Sequence, residues 1–272
     1  MIRPPLSQRA LSALAVCAAL VQSAPAATIS TIGVYDEATR TNAVDTIADD
    51  TNPGDGIGTG VAVSPGDALA TFTSAVATAY NSNRGGVAGF DSFPASTSLG
   101  TSLQFVYGVS GTKTLNVTSS EALRAAGYGS ATAISGDRVL DNGDGADSTF
   151  DLAFGSITGG EVNERVTQVA ITALSRSGST SGGMTLTVTF DDNSTSTLTS
   201  FIGSTNGGDD TFYRFLAPTG RYITELSFLR NAGGTRPFDD FAFITGIIPE
   251  PASLALAALG GLMMVARPRK RG

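Results

Sequence analysis

The stretch Met184–Phe190, MTLTVTF, alternates without a break: Met184, Leu186, Val188 and Phe190 fall on one side of an extended chain, and Thr185, Thr187 and Thr189 on the other. A period of two is the signature of a strand with one face buried and one face wet, the usual state of an antiparallel sheet. Asp191–Ser194 follows with turn residues, and the alternation resumes through Leu198, which predicts a hairpin. The same texture recurs along the chain. GVAGFDSF, SLQFVYGV, KTLNVTS, TFDLAFGSI, RVTQVAITALS, STLTSFIG, TFYRFLA, YITELSFLR and DDFAFIT are short and rich in Val, Ile, Thr, Phe and Tyr, with Gly, Asn, Asp and Ser between them. The expectation is an all-β domain, an antiparallel two-sheet sandwich of jelly-roll type.

One segment departs from this texture. In SPGDALATFTSAVATAYNSNRGG, Ser64 is placed to cap a helix that has Pro65 at its first position and Asp67 near its positive end. Leu69, Phe72, Val76 and Tyr80 recur at steps of three or four, and Asn81 to Gly86 ends the run. This predicts one amphipathic helix early in the domain, its apolar face against the sheet.

The two ends of the chain obey different rules. Arg3 and Arg9 precede an apolar stretch, Ala10–Val21, which leads to Ala24-Pro25-Ala26. That is the order of a secretory signal peptide, with cleavage expected after Ala26. Cys17, the sole cysteine, lies inside it, so the mature chain forms no disulfide and has no thiol nucleophile. At the other end Pro249-Glu250-Pro251 introduces the apolar run 252–266, closed by Arg267, Arg269, Lys270 and Arg271. Fifteen residues at about 1.5 Å each reach roughly 22 Å, short of a hydrocarbon core of roughly 30 Å, so as a transmembrane helix the run is a minimal one. With no polar face and with Gly260-Gly261 inside, it makes a poor water-exposed helix. The cationic stop holds that end on the cytoplasmic side and leaves the body outside.

These C-terminal residues resemble the PEP-CTERM sorting tail of Gram-negative and related bacteria. Pro249, Glu250 and Pro251, a short hydrophobic helix and the basic end of Arg267, Arg269, Lys270 and Arg271 occur in the family's order. The resemblance covers about 24 residues. It implies recognition by an exosortase, a membrane cysteine peptidase of the transpeptidase type, and cleavage near Pro249–Pro251. The inner membrane is then a transient partner, and the body passes to the cell surface or matrix, where such proteins accompany exopolysaccharide and biofilm. The body, through NRGGVAGFDSF, YGVSGTKTLNVTSS, FGSITGGEVNERVTQVAITALSRSG, DTFYRFLAPTGRYITELSF and FDDFAFIT, is similar to a recurrent PEP-CTERM ectodomain to which no activity attaches. The expected division is therefore 1–26 signal peptide, 27–248 secreted β domain and 249–272 sorting tail.

Composition then narrows the chemistry of the body. Two of the 17 basic residues lie in 1–26 and four in 249–272, leaving 11, whereas all of the 24 acidic residues except Glu250 fall in the body, leaving 23. A net charge near −12 repels phosphate backbones, which argues against nucleic acid as a partner and leaves cations and neutral glycans. There is no histidine, so a Ser-His-Asp triad or a histidine relay is excluded, and no tryptophan, which weakens a sugar-stacking platform. In DNGDGAD, Asp141, Asp144 and Asp147 offer hard oxygen ligands of the kind calcium takes, but at first, fourth and seventh positions instead of the EF-hand's first, third and fifth; a solvated turn accounts for them better, and calcium binding is the weaker reading. Asp50, Asn52 and Asp55 in DDTNPGDG have the same two readings. Asp239-Asp240 invites a glycosidase reading, yet neighbouring strand residues point to opposite faces, so a second acid such as Glu225 must be supplied by folding. GTKT and GGDD read as turns, and Asn116 and Asn193, though in NVT and NST, as ordinary strand and turn residues. The expected protein is noncatalytic, exported and matrix-associated. A carboxylate-dependent glycan hydrolase or lyase and a purely structural surface protein are the alternatives.

Overall fold

The computed structural model describes residues 25–32, 46–50, 65–88, 90, 92–127, 138–141, 150–173, 184–200, 211–230 and 238–249. They form thirteen strands and one helix. In chain order these are β1 (Ala27–Ile32), β2 (Thr46–Asp50), α1 (Pro65–Asn81), β3 (Gly85–Ala88), β4 (Thr97–Tyr107), β5 (Lys113–Gly127) and β6 (Arg138–Asp141). β7 (Phe150–Thr158), β8 (Glu164–Ala173), β9 (Met184–Phe190), β10 (Thr195–Ser200), β11 (Thr211–Leu216), β12 (Ile223–Arg230) and β13 (Phe238–Ile247) follow.

The all-β expectation holds, and the arrangement differs from it in two respects. All thirteen strands belong to one hydrogen-bonded sheet, where two separate sheets were expected: twelve run in the order β10-β9-β12-β7-β5-β4-β1-β3-β13-β8-β11-β2, and β6 lies off this path. The bridge is β6, which pairs with β5 opposite Arg124 to Gly127 and with β13 through Leu140 and Phe238, closing a ring through β4, β1 and β3. The sheet is also mixed. β1 runs parallel to β4, from Ala27 opposite Leu103 to Ser30 opposite Val106, and β2 runs parallel to β11. Alternation reports which face of a strand is buried and carries no information on the direction of its neighbour. The hydrophobic helix expected over 252–266 lies outside the described residues.

The curled sheet encloses an aromatic core. Phe105 and Tyr107 of β4 meet Phe243 of β13 edge-on, with ring centroids 6.1 and 5.2 Å apart. Phe150 of β7 and Phe228 of the adjoining β12, opposite each other in the ladder, stack at 4.4 Å, and both touch Phe238 of β13, at 5.5 and 4.4 Å. The predicted hairpin is present: Leu186, Val188 and Phe190 are buried, Thr189 lies opposite Thr195, and Asn193 takes the left-handed φ of 65° at the turn.

α1 begins at Pro65 and ends at Asn81, as its punctuation predicts, and buries Phe72, Val76 and Ala79 against the sheet. Its exit is tied down twice. The Arg84 N–H donates to the Ala79 carbonyl at 2.7 Å, and the Asn83 side-chain oxygen accepts from the N–H and hydroxyl of Ser110, in the β4–β5 turn, at 2.9 and 2.8 Å. Gly108 permits this approach: a Cβ there would stand 2.5 Å from Asn83 Oδ1, and its φ is +77°.

Candidate functional site at the root of the tail

β4, β5, β8 and β13 all bring an end to the same place, where the chain leaves the sheet toward residue 249. On each of these strands an inward-facing position carries a polar group instead of an apolar one: Tyr107 after Leu103 and Phe105, Lys113 before Leu115 and Val117, Glu164 before Val166, and Thr245 after Phe241 and Phe243. Tyr107, Lys113 and Thr245 converge on the carboxylate of Glu164.

Glu164 is wholly buried. Its Oε1 accepts from the Tyr107 hydroxyl at 2.9 Å and the Thr245 hydroxyl at 2.6 Å. Its Oε2 accepts from Lys113 Nζ at 2.7 Å and from the backbone N–H of Glu161 at 2.8 Å. Arg84 Nη1 stands 3.9 Å from Oε2, while Arg84 Nη2 binds Glu161 Oε1 at 2.6 Å nearer the surface. Burial by itself pushes the Glu164 carboxyl up. Donation from Lys113, Thr245, the Glu161 backbone and Tyr107 outweighs it and holds the group below its ordinary value, so it is a carboxylate. Burial, followed by the charge of Glu164, pushes the Tyr107 phenol well above its usual range, so it stays a donor.

The last described residues are sewn into this cluster. The Thr245 N–H donates to the Arg84 carbonyl at 2.6 Å, and the Ile248 N–H to the carbonyl of Asn163, a residue with a left-handed φ of 62° in the β7–β8 turn. Gly159 lets that turn pack closely, since a Cβ there would meet the Thr112 carbonyl at 2.6 Å. Pro249 is exposed immediately beyond.

A carboxylate with four donors and no surface is chemically committed. It holds four strand ends together and cannot meet a substrate. Beside it an open groove of about 790 Å³ runs between α1 and strands β8 and β13, past Thr78, Ser82, Arg84, Gln168 and Ile244. The hydroxyls of Thr78 and Ser82 donate to the carbonyls of Ser74 and Thr78, and among the described residues of the lining Arg84 is the single charged one.

The residues singled out in the sequence fall elsewhere or beyond view. Of the sorting motif, Pro249 is described, whereas Glu250, Pro251, Arg267, Arg269, Lys270 and Arg271 lie outside the described residues. Asp141 ends β6 with its backbone opposite Arg124; Asp144 and Asp147, and Asn52 and Asp55 of the other acidic loop, lie outside the described residues. Among the described residues no three His, Cys, Asp or Glu side chains are grouped to hold a metal ion. Asp239 and Asp240 sit where the β13–β8 register shifts, and Glu225 on β12 accepts from the Ser227 hydroxyl at 3.3 Å. Asn116 is a strand residue that donates to the Ser156 carbonyl at 2.9 Å and accepts from Gln104. Among the described residues no helix is long and apolar enough to cross a membrane. No family model, curated protein or solved structure matches the chain.

Proposed function

We propose that the chain is an exported, exosortase-sorted envelope or extracellular-matrix protein whose body is noncatalytic and associates with exopolysaccharide. The observation that carries this reading is the ordered C-terminal triad of Pro-Glu-Pro, apolar run and basic stop, facing a signal peptide at the opposite end. The fold supports it. β1 begins at Ala27, the first residue after the expected signal cleavage, and β13 ends at Ile247, two residues before the Pro-Glu-Pro element. Both cuts thus flank the folded body without entering it. The sealing of Glu164 supports a noncatalytic body, and the excess of acids together with hydroxyl-rich strands suits a hydrated glycan with calcium between the two. We also read the curled sheet as a distorted jelly-roll-like sandwich, on the strength of the ring contacts that β7 and β12 make across the interior with β13.

The test is to express the full chain in cells with and without an exosortase and to determine the C-terminus of the exported product by mass. The expected product ends near Pro249–Pro251 only when the peptidase is present, and replacing Arg267, Arg269, Lys270 and Arg271 by serine abolishes membrane retention of the precursor. An unprocessed chain in the same compartment under all conditions refutes the sorting role. Glycan arrays with and without calcium test the body; absence of binding in both removes the glycan claim.

A further inference from the structure

We propose that the end of the sheet carrying the Glu164 cluster is a membrane-facing surface: while the tail is inserted, Val109, Val162 and Ile247 rest on the lipid headgroup layer of the bilayer that holds it. This deepens the sorting reading and rests on it.

Four large apolar side chains are exposed among the described residues, and three are at this end: Val162 in the β7–β8 turn (81% exposed), Val109 in the β4–β5 turn (60%) and Ile247 at the end of β13 (43%). The fourth, Leu229, is near the far end of β12, opposite Thr185 at the start of β9. The three sit on tips that would cost nothing to make polar, since none supports the core. Exposed apolar groups gathered on one end of a charged protein mark a contact surface.

The described turns at this end, 82–84, 108–113, 159–165, 191–194 and 217–222, carry Arg84, Lys113, Arg165 and Arg221 against Glu161, Glu164, Asp191 and Asp192, a balance of four and four, and β2 ends beside β11 with Asp49 and Asp50. Turns of near-balanced charge offer an anionic lipid surface little net repulsion.

The tether is short enough to enforce contact. From Ile248 to Ala252 there are four residue steps, roughly 14 Å fully extended. The headgroup layer takes up about 5–8 Å of this on each side of the bilayer. A run of roughly 22 Å in a core of roughly 30 Å also draws its flanks inward. Ile248 is itself fixed to Asn163, the residue after Val162, so the slack does not extend into the fold.

The mature chain lacks cysteine, which makes the test direct. Single cysteines at Val162, Val109 and Leu229 are spin-labelled in the chain from Ala27 to Gly272, which keeps the tail and omits Cys17, reconstituted into phosphatidylethanolamine–phosphatidylglycerol vesicles. Accessibility to a water-soluble nickel complex and to lipid-soluble oxygen is then read. Labels at 162 and 109 are expected to be at least three-fold less accessible to nickel than the label at 229, and to regain full access when the tail is cleaved from the body. In Val109→Asp with Val162→Asp, read from a cysteine at Ile247, the protection should fall while the chain stays in the vesicle pellet. Equal nickel access at 162, 109 and 229 in a chain that resists alkaline extraction overturns the docking face and leaves the sorting reading intact. A chain extracted by alkali overturns the sorting reading, and this inference with it. Protection at 162 that requires added exosortase assigns the face to the peptidase and overturns the membrane assignment.

Discussion

Replacing Glu164 by glutamine changes one oxygen into an amide nitrogen at the point where four donors meet. Oε1 can still serve two of them, Tyr107 and Thr245, but an NH2 group then faces Lys113 Nζ and the Glu161 N–H, which stood 2.7 and 2.8 Å from Oε2. Lys113, itself buried, is left with Glu161 Oε1 at 3.7 Å as its nearest described carboxylate. Removing one partner of a buried ion pair costs about 3–5 kcal/mol, because the remaining charge stays desolvated. For a body of this size that corresponds to a fall in melting temperature of roughly 6–20 °C. The pH dependence gives a second readout. Glu164 titrates lower in the folded than in the unfolded chain, so its stabilisation is complete above the ordinary glutamate range, near about 4.3, and is lost as pH falls through the folded value. Wild-type protein should therefore lose stability steeply on acidification, and Glu164→Gln should show a flatter acid limb. Urea denaturation of the purified protein at a series of pH values measures both effects. In a cycle with Lys113→Met, the double variant should be less destabilised than the sum of the singles. A Glu164→Gln protein within about 1 kcal/mol of wild type, with a parallel pH profile and additive behaviour in the cycle, refutes the argument that this carboxylate clamps the strand ends.

Two glycines with similar φ make a contrast: Gly108→Ala drives a Cβ to within 2.5 Å of Asn83 Oδ1, whereas Gly220→Ala, at φ +80°, meets nothing within 4 Å. The second should cost about 1–2 kcal/mol of backbone strain and the first about 1–3 kcal/mol more, read from thermal melting. Phe238→Ala removes the ring that Phe150 and Phe228 share and should cost about 3–5 kcal/mol by urea denaturation, whereas Val162→Ala, at an exposed tip, should stay within about 0.5 kcal/mol of wild type.

Strands with a clean period announce themselves in the sequence. Met184–Phe190 is read to the residue, and α1 starts and stops where Pro65 and Asn81 place it. β6, with only Arg138–Asp141, is too short to show a period, and β1, Ala27–Ile32, has two threonines and a serine among its six residues. Their roles are long-range. β6 bridges strands far apart in the sheet, and β1 lies parallel between β3 and β4, a pairing that local pattern does not encode. The Glu164 cluster was missed for a different reason. Lys113 sits in GTKT, which reads as a turn, and Glu164 in EVNER, a polar run just ahead of the strand pattern RVTQVAITALS. A signal was present: Lys113 shares the inward phase of Leu115 and Val117, and Thr245 that of Phe241 and Phe243. A charge in the buried phase of a strand asks for a partner, but which partner is settled only when β5, β8 and β13 meet.

β13 contributes Phe238, Phe241 and Phe243 to the middle of the core and pairs with β3, β6 and β8, although among the described strands it is the last in the chain. A chain made from its N-terminus therefore remains an open sheet, with exposed edges and an unfilled centre, until almost its last body residue has emerged. The fold thereby reports on its own completion: a translation product truncated before residue 238 lacks the strand that fills the centre of the core and has no finished form in which to persist.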